Sequence, residues 1–266
     1  MSVRMPHRML LIAGAASALA VMPAAASAAA AHGRYTTIDV PGATATVAIS
    51  VNDFGVVVGG YTDAQGMSHG FIDQRGVFTT VNDPHAGTAS GQGTSVNGLN
   101  NFGVLDGTYT DAKGVSHGFI DRRGVFTTVN HAHAGTAPGQ GTTLGFINDR
   151  GAVSGTYFNS RGKPVGFVGR PGRFTTVTDP AAAPFSTFTG AINDAGVIVG
   201  LGVDAHGVGH GFIDRHGVFT TLNDPHAGTA SGQGTAASAI SNRGIIVGLY
   251  FDSHGTTHGF ELNNAR

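Results

Sequence analysis

The stretch SVNDFGVVVGGYTDAQGMSHGFIDQRGVFTTVN, Ser50 to Asn82, alternates short β-prone runs with turns of the form Asn/Asp-x-x-Gly, at Asn52 to Gly55, Asp63 to Gly66 and Asp73 to Gly76. An Asx side chain at the first position accepts from the backbone of the turn, and glycine at the fourth takes the left-handed conformation that other residues avoid. Three such turns in a row predict a meander of four antiparallel strands, A to D, ending at FTTVN.

The meander recurs along the chain. The phenylalanine of HGF falls at Phe71, Phe119, Phe167, Phe212 and Phe260, in steps of 48, 48, 45 and 48, and the A–B turn glycine repeats those steps at Gly55, Gly103, Gly151, Gly196 and Gly244. A period of this length with four strands per unit predicts an all-β, five-bladed β-propeller. Its blades cover about 46–82, 94–130, 142–178, 188–223 and 236–262. The last unit ends after its third strand, whereas an orphan fourth strand, GRYTTIDV, occupies Gly33 to Val40. Pairing of Tyr35 to Asp39 beside Thr256 to Leu262 would let this N-terminal strand complete the last blade and close the ring. A β-solenoid would have a shorter period and no such phase shift between the ends.

Residues 1–28 read as a signal peptide: basic MSVRMPHR, apolar MLLIAGAASALAVM, then small residues with an A-x-A at Ala26 to Ala28. Residues 29–266 form the expected single domain, exported to the periplasm or beyond and monomeric. The apolar run is too short for a membrane span. With no cysteine there are no disulfides. A formal charge of -1 with 15 Lys plus Arg leaves no basic stripe for nucleic acid. The 43 glycines and absent tryptophan fit short strands and tight turns.

The HGF, G-x-F-T-T and I-N-D-x-G-x-V-V-G segments resemble the HAF-type extracellular repeat, named for a His-Ala-Phe signature and found in exported bacterial proteins. The resemblance spans about Gly33 to Phe260, with glycine in place of the signature's alanine and PVGF at Pro164 to Phe167 in the third unit. It implies an exported repeat protein and no particular activity. In period and blade number the chain is also similar to the tachylectin type of five-bladed sugar-binding propeller.

Candidate chemistry is sparse. The strand-C histidines His69, His117, His210 and His258 belong to separate blades, on the order of 15 Å apart at strand spacings of about 4.8 Å, and predict no metal site. Each is expected to pack between blades with its ring bonded to a neighbouring carbonyl. Most aspartates, including Asp53, Asp63, Asp73, Asp111, Asp121, Asp194, Asp204, Asp214 and Asp252, read as turn caps. Asp106 does not: other units place Val58, Ser154, Val199 and Val247 there, so it is expected to be solvated or hydrogen-bonded, or else to be the acid of an enzyme acting on a polysaccharide or metabolite at the axial mouth. No nucleophile elbow, metalloprotease motif or phosphate loop occurs, and no cofactor is expected.

The longest connection of each unit, from strand D to the next strand A, is written NDPHAGTASGQGT at Asn82 to Thr94 and again at Asn223 to Thr235, and NHAHAGTAPGQGT at Asn130 to Thr142. In a radial meander the D–A loops and B–C turns share one face. Long loops on a rigid scaffold are where binding is usually found. His85, Gln92, Thr94, His133, Gln140, Thr142, His226, Gln233 and Thr235 are therefore the candidate ligand contacts, neutral, polar and suited to carbohydrate hydroxyls. The tyrosines Tyr61, Tyr109, Tyr157 and Tyr250 are either a platform beside them or core. Recent duplication would explain the loop identity without a ligand. The expected role is a non-catalytic binding module for a polysaccharide or cell-surface glycan, the alternatives being the enzyme or a protein-interaction scaffold.

Overall fold

A computed structural model of the chain describes residues 37–262. The signal peptide and the first part of the orphan strand lie outside the described residues. All regular structure among them is β. The first unit comprises β1 (Ala45–Val51), β2 (Val57–Thr62), β3 (Ser68–Gln74) and β4 (Val77–Val81). The second comprises β5 (Gly93–Leu99), β6 (Val104–Thr110), β7 (Ser116–Arg122) and β8 (Val125–Val129). In the third are β9 (Gly141–Ile147), β10 (Val153–Phe158), β11 (Pro164–Arg170) and β12 (Arg173–Val177). The fourth has β13 (Thr187–Ile192), β14 (Val197–Val203), β15 (Gly209–Arg215) and β16 (Val218–Leu222), and the fifth β17 (Gly234–Ile240), β18 (Ile246–Phe251) and β19 (Thr257–Leu262). Within each unit neighbouring strands pair antiparallel, as the turn spacing predicts.

The repeated phenylalanine and a glycine on strand B are register partners in every unit: Phe71 faces Gly59, Phe119 Gly107, Phe167 Gly155, Phe212 Gly200 and Phe260 Gly248. The first four rings are fully buried. Each needs a glycine opposite because the ring lies over that backbone: a Cβ on Gly107 would come within 2.6 Å of the Phe119 ring and overlap the carbonyl oxygen of Ser95. Burying such a ring contributes about 1.5–3 kcal/mol. Around it, one core cluster gathers Val58, Val96, Leu105, Tyr109 and Phe119, joining residues of two consecutive units, so the core lies between blades as well as within them.

Successive units lie side by side with their A strands adjacent, β1 on β5, β5 on β9, β9 on β13 and β13 on β17, which is the radial packing of a propeller-type architecture. A short parallel bridge, Ser68 to Gly93, ties one unit's strand C to the next unit's strand A. Gly93 has φ +117°, and a side chain there would run into the Ser68 carbonyl. Thus the second glycine of GQGT is fixed by blade docking.

The A–B face departs from the turn caps expected of Asp53 and Asp194. They do not cap their own turns; Asn52 and Asn193 do, Asn52 Oδ1 accepting from the Phe54 and Val56 amides. Asp53 and Asp194 instead reach the neighbouring unit. Asn101 Nδ2 donates to both Asp53 and Asp149, the Asp149 amide to Asp194, and Asn242 Nδ2 to Asp194. Beside this ladder Asn148 Nδ2 donates to the Asn193 carbonyl at 3.0 Å. The other aspartates of the series cap as expected, Asp63 accepting from Gln65 and Met67 and Asp73 from Gly76.

The ends differ from the expected ring. Thr37–Val40 forms no strand, the Val40 amide donating to Thr46 Oγ1, and β19 pairs only with β18 among the described residues. Both terminal strands are correspondingly more exposed than their inner counterparts. Since the glycine spaces are already full, Gly107→Ala is expected to lower stability by about 1–3 kcal/mol or more, read as a drop in thermal midpoint, whereas Gly103→Ala, with open space around it but φ +75°, should cost less.

Candidate functional site

The D–A loops lie on the face of the B–C turns. In the first, the Gly91 amide donates to Gly66 of its own unit's B–C turn, and the Gly87 amide donates to Thr110 at the end of the next unit's strand B, at 2.9 and 2.8 Å. The loop is a staple across the blade boundary. Gly135 to Phe158 and Gly228 to Phe251 repeat the second bond at 2.8 Å in the other two copies.

The candidate residues divide by chemistry. Thr94, Thr142 and Thr235 are buried, each hydroxyl accepting the amide that opens its loop, from Asp83, His131 and Asp224. Gln92 Oε1 accepts from Ala89 and its Nε2 donates to the Ala112 carbonyl in the next B–C turn; Gln140 and Gln233 do the same to Ser160 and Ser253. Their amides are thus largely occupied in holding the loop. The histidines stand apart. His85, His133 and His226 are all exposed; His85 Nδ1 meets Asp83 Oδ1 at 3.0 Å and His226 Nδ1 meets Asp224 at 3.1 Å, leaving the Nε2 edge to solvent. His133 instead donates its amide to His131 Nδ1. The structure repeats these three histidines in equivalent loops on one face.

The strand-C histidines are locks within a blade and not packed on a carbonyl between blades. His69 stacks on Tyr61 at 4.8 Å and 19°, with Nδ1 at 3.0 Å from Asn82 Oδ1 and Nε2 at 3.0 Å from Asp63 Oδ2, tying strand D to the B–C turn. His117 repeats this with Tyr109, Asn130 and Asp111. The tyrosines are accordingly packed members of the blade: Tyr109 and Tyr157 are buried, and Tyr109 has His117 at 4.9 Å and the loop residue His85 at 6.2 Å. Sequence spacing could not show this arrangement, because Asp63, His69 and Asn82 come from three different strands or turns. The hydrogen bond from His69 leads the effects that lower the Asp63 carboxyl below its ordinary value. A carboxyl lowered in the folded state stabilises above the unfolded pKa near 4 and loses that contribution as pH falls further.

Asp106 contradicts its expectation of a solvated or hydrogen-bonded side chain. It is fully buried, and neither carboxyl oxygen has a hydrogen-bond partner among the described residues. Its Oδ1 lies over Gly98, beside the bulge of β5 between Val96 and Gly98. Burial pushes its pKa up to about 8. An acid sealed in this way cannot touch a substrate. Glu261 lies exposed on β19 of the fifth unit. No cluster of three metal-ligating side chains occurs among the described residues, and no helix there is long and apolar enough to cross a membrane.

No family model and no curated protein matches this sequence. Among solved structures, an arginine-to-alanine triple mutant of AofleA from Arthrobotrys oligospora is similar in fold at 12% identity, with TM-score 0.50, over 86% of this chain and 73% of that one. The Aleuria aurantia lectin, described as a six-bladed β-propeller with a fucose recognition mode, matches at 13% identity and TM-score 0.47, over 83% and 74%.

For Asp106 the folded pKa lies above the unfolded value of 3.8, so the stability of the neutral form is full below about pH 4 and is lost as pH rises towards 8, by up to about 1.4 kcal/mol per unit. Asp106→Val should raise the melting midpoint at pH 7.5 and flatten its dependence on pH between 5 and 8. Urea melts of both proteins across that range check it.

Proposed function

We propose that this chain is an exported, monomeric repeat protein of HAF type, directed by residues 1–28, whose role is non-catalytic binding of a neutral polysaccharide or cell-surface glycan. The observation that carries the reading is the presentation of His85, His133 and His226 by three stapled loops of matching backbone geometry on one face. The glutamines and threonines of the same loops hold that geometry, and the exposed tips at Thr88 to Gly91 and their copies offer backbone groups to ligand hydroxyls. Three equivalent contacts on a rigid face suit a repeating polymer, since linked weak sites raise avidity by roughly 10²- to 10⁴-fold. In this reading the ring has five blades, the fifth holding three strands, β17 to β19, among the described residues. The scaffold alternative has support on the other face, where the A–B turn residues Phe54 and Phe102 are each 72% exposed.

A glycan array followed by titration calorimetry tests the binding reading. One class of neutral polysaccharide should bind. Changing one loop histidine to alanine should weaken it roughly tenfold or more, and changing all three should abolish binding while the thermal midpoint stays within a few degrees. Absence of any glycan binding, or binding indifferent to the triple change, would overturn the proposal.

A further inference from the structure

The third unit lacks the histidine lock, and all of its parts change together. Val165 stands where His69 and His117 stand, Thr178 where Asn82 and Asn130 bind the ring's Nδ1, and Asn159 where Asp63 and Asp111 bind its Nε2. Val165 is still the register partner of Tyr157, as His69 is of Tyr61. A pocket of about 290 Å³ occupies this place, walled by Tyr157, Val165, Val177, Pro184 and Phe185. In three other units the chain's own imidazole stacks on the corresponding tyrosine, at 4.8 Å on Tyr61, 4.9 Å on Tyr109 and 4.8 Å on Tyr250, all within 20° of parallel.

The pocket's surroundings are built to keep that tyrosine in place. His131, from the preceding loop, stacks on Tyr157 at 3.9 Å and 4°, and burial leads the effects that lower the His131 pKa. The Tyr157 hydroxyl is bonded to Thr176. At the pocket's edge Phe185 is half exposed and has φ +60°, a conformation bulky residues adopt rarely and that concentrates at ligand clamps.

We propose that this pocket binds a small uncharged aromatic molecule from solution, its ring set against Val165 and the side of Tyr157 away from His131, which does not line the pocket, where the other units carry a strand-C imidazole. Among the described residues no charged side chain lines the pocket, so a carboxylate or ammonium would lose its hydration without a partner. The exposed Thr178 hydroxyl can serve one polar substituent, such as a phenol hydroxyl, whereas Thr187 is buried with its Oγ1 accepting the Asp179 amide. The volume lies at the small end of ligand pockets, enough for one ring and its substituents. The site shares no residue with the loop histidines and does not rest on the glycan reading.

The test is saturation-transfer NMR and calorimetry on the full mature chain with phenol, and with benzoate, benzylamine and cyclohexanol as comparators. Phenol should bind in the millimolar range or tighter, and the other three at least fivefold more weakly. Restoring the lock with Val165→His, Thr178→Asn and Asn159→Asp should fill the pocket, weaken phenol tenfold or more and leave glycan binding unchanged. Val165→Phe offers a second way of filling it should the triple variant fail to fold. Phenol that does not bind at 10 mM, or that binds a filled variant as well as the parent, would overturn the proposal; phenol binding without any glycan binding would support the pocket and remove only the loop reading.

Discussion

A phenylalanine ring lying on a strand-B glycine sets the geometry on which the rest of this molecule depends. Phe119 over Gly107 admits no Cβ, which brings strands B and C of a blade to one close-packed arrangement and leaves the ring's neighbours, Val96 and Leu105, to meet side chains of adjacent units. A meander of four short strands cannot bury both of its faces alone. Repetition supplies the missing cover, and the exposed first and last strands show what its absence costs.

Given that packing, the polar residues of the repeat serve mainly to register one blade on the next. The D–A loop does so on one face, through Gly93, Gln92 and the amide of Gly87; the Asx ladder from Asp53 to Asn242 does so on the other. The phenylalanine, the strand-B glycine beneath it and the A–B turn glycine recur in all five units, whereas the loop glutamine recurs in three loops and the lock histidine in four units. The departures from the repeat then become informative. Asp106 adds a buried acid where other units have valine or serine, and Val165 removes a ring where they have histidine. One weakens the core as pH rises, and the other opens a cavity.

The period, the four-stranded unit and most turn caps were legible because each is written locally: an Asx and a glycine three residues apart specify a turn without reference to anything distant. Asp53 and Asp194 were misread as caps because Asn52 and Asn193, one residue earlier, have the better geometry, and the aspartate is then free to reach 48 residues along the chain. The histidine lock was invisible for a related reason, its ring, carboxylate and amide lying on separate strands and turns. Of the nine candidate loop residues, the sequence could place all on one face but could not tell a buried threonine or an occupied glutamine amide from an exposed imidazole. That distinction depends on which groups the next blade consumes.

The central claim is that the loop glutamines staple blades together while the loop histidines face solvent. It is tested most directly by thermal unfolding of the Gln92→Ala, Gln140→Ala, Gln233→Ala variant. Each glutamine makes two hydrogen bonds to its own loop and the next unit's turn, so the account predicts a loss of about 1 kcal/mol or more per site, seen as a large fall in melting midpoint. A triple variant that melts with the parent protein would contradict it.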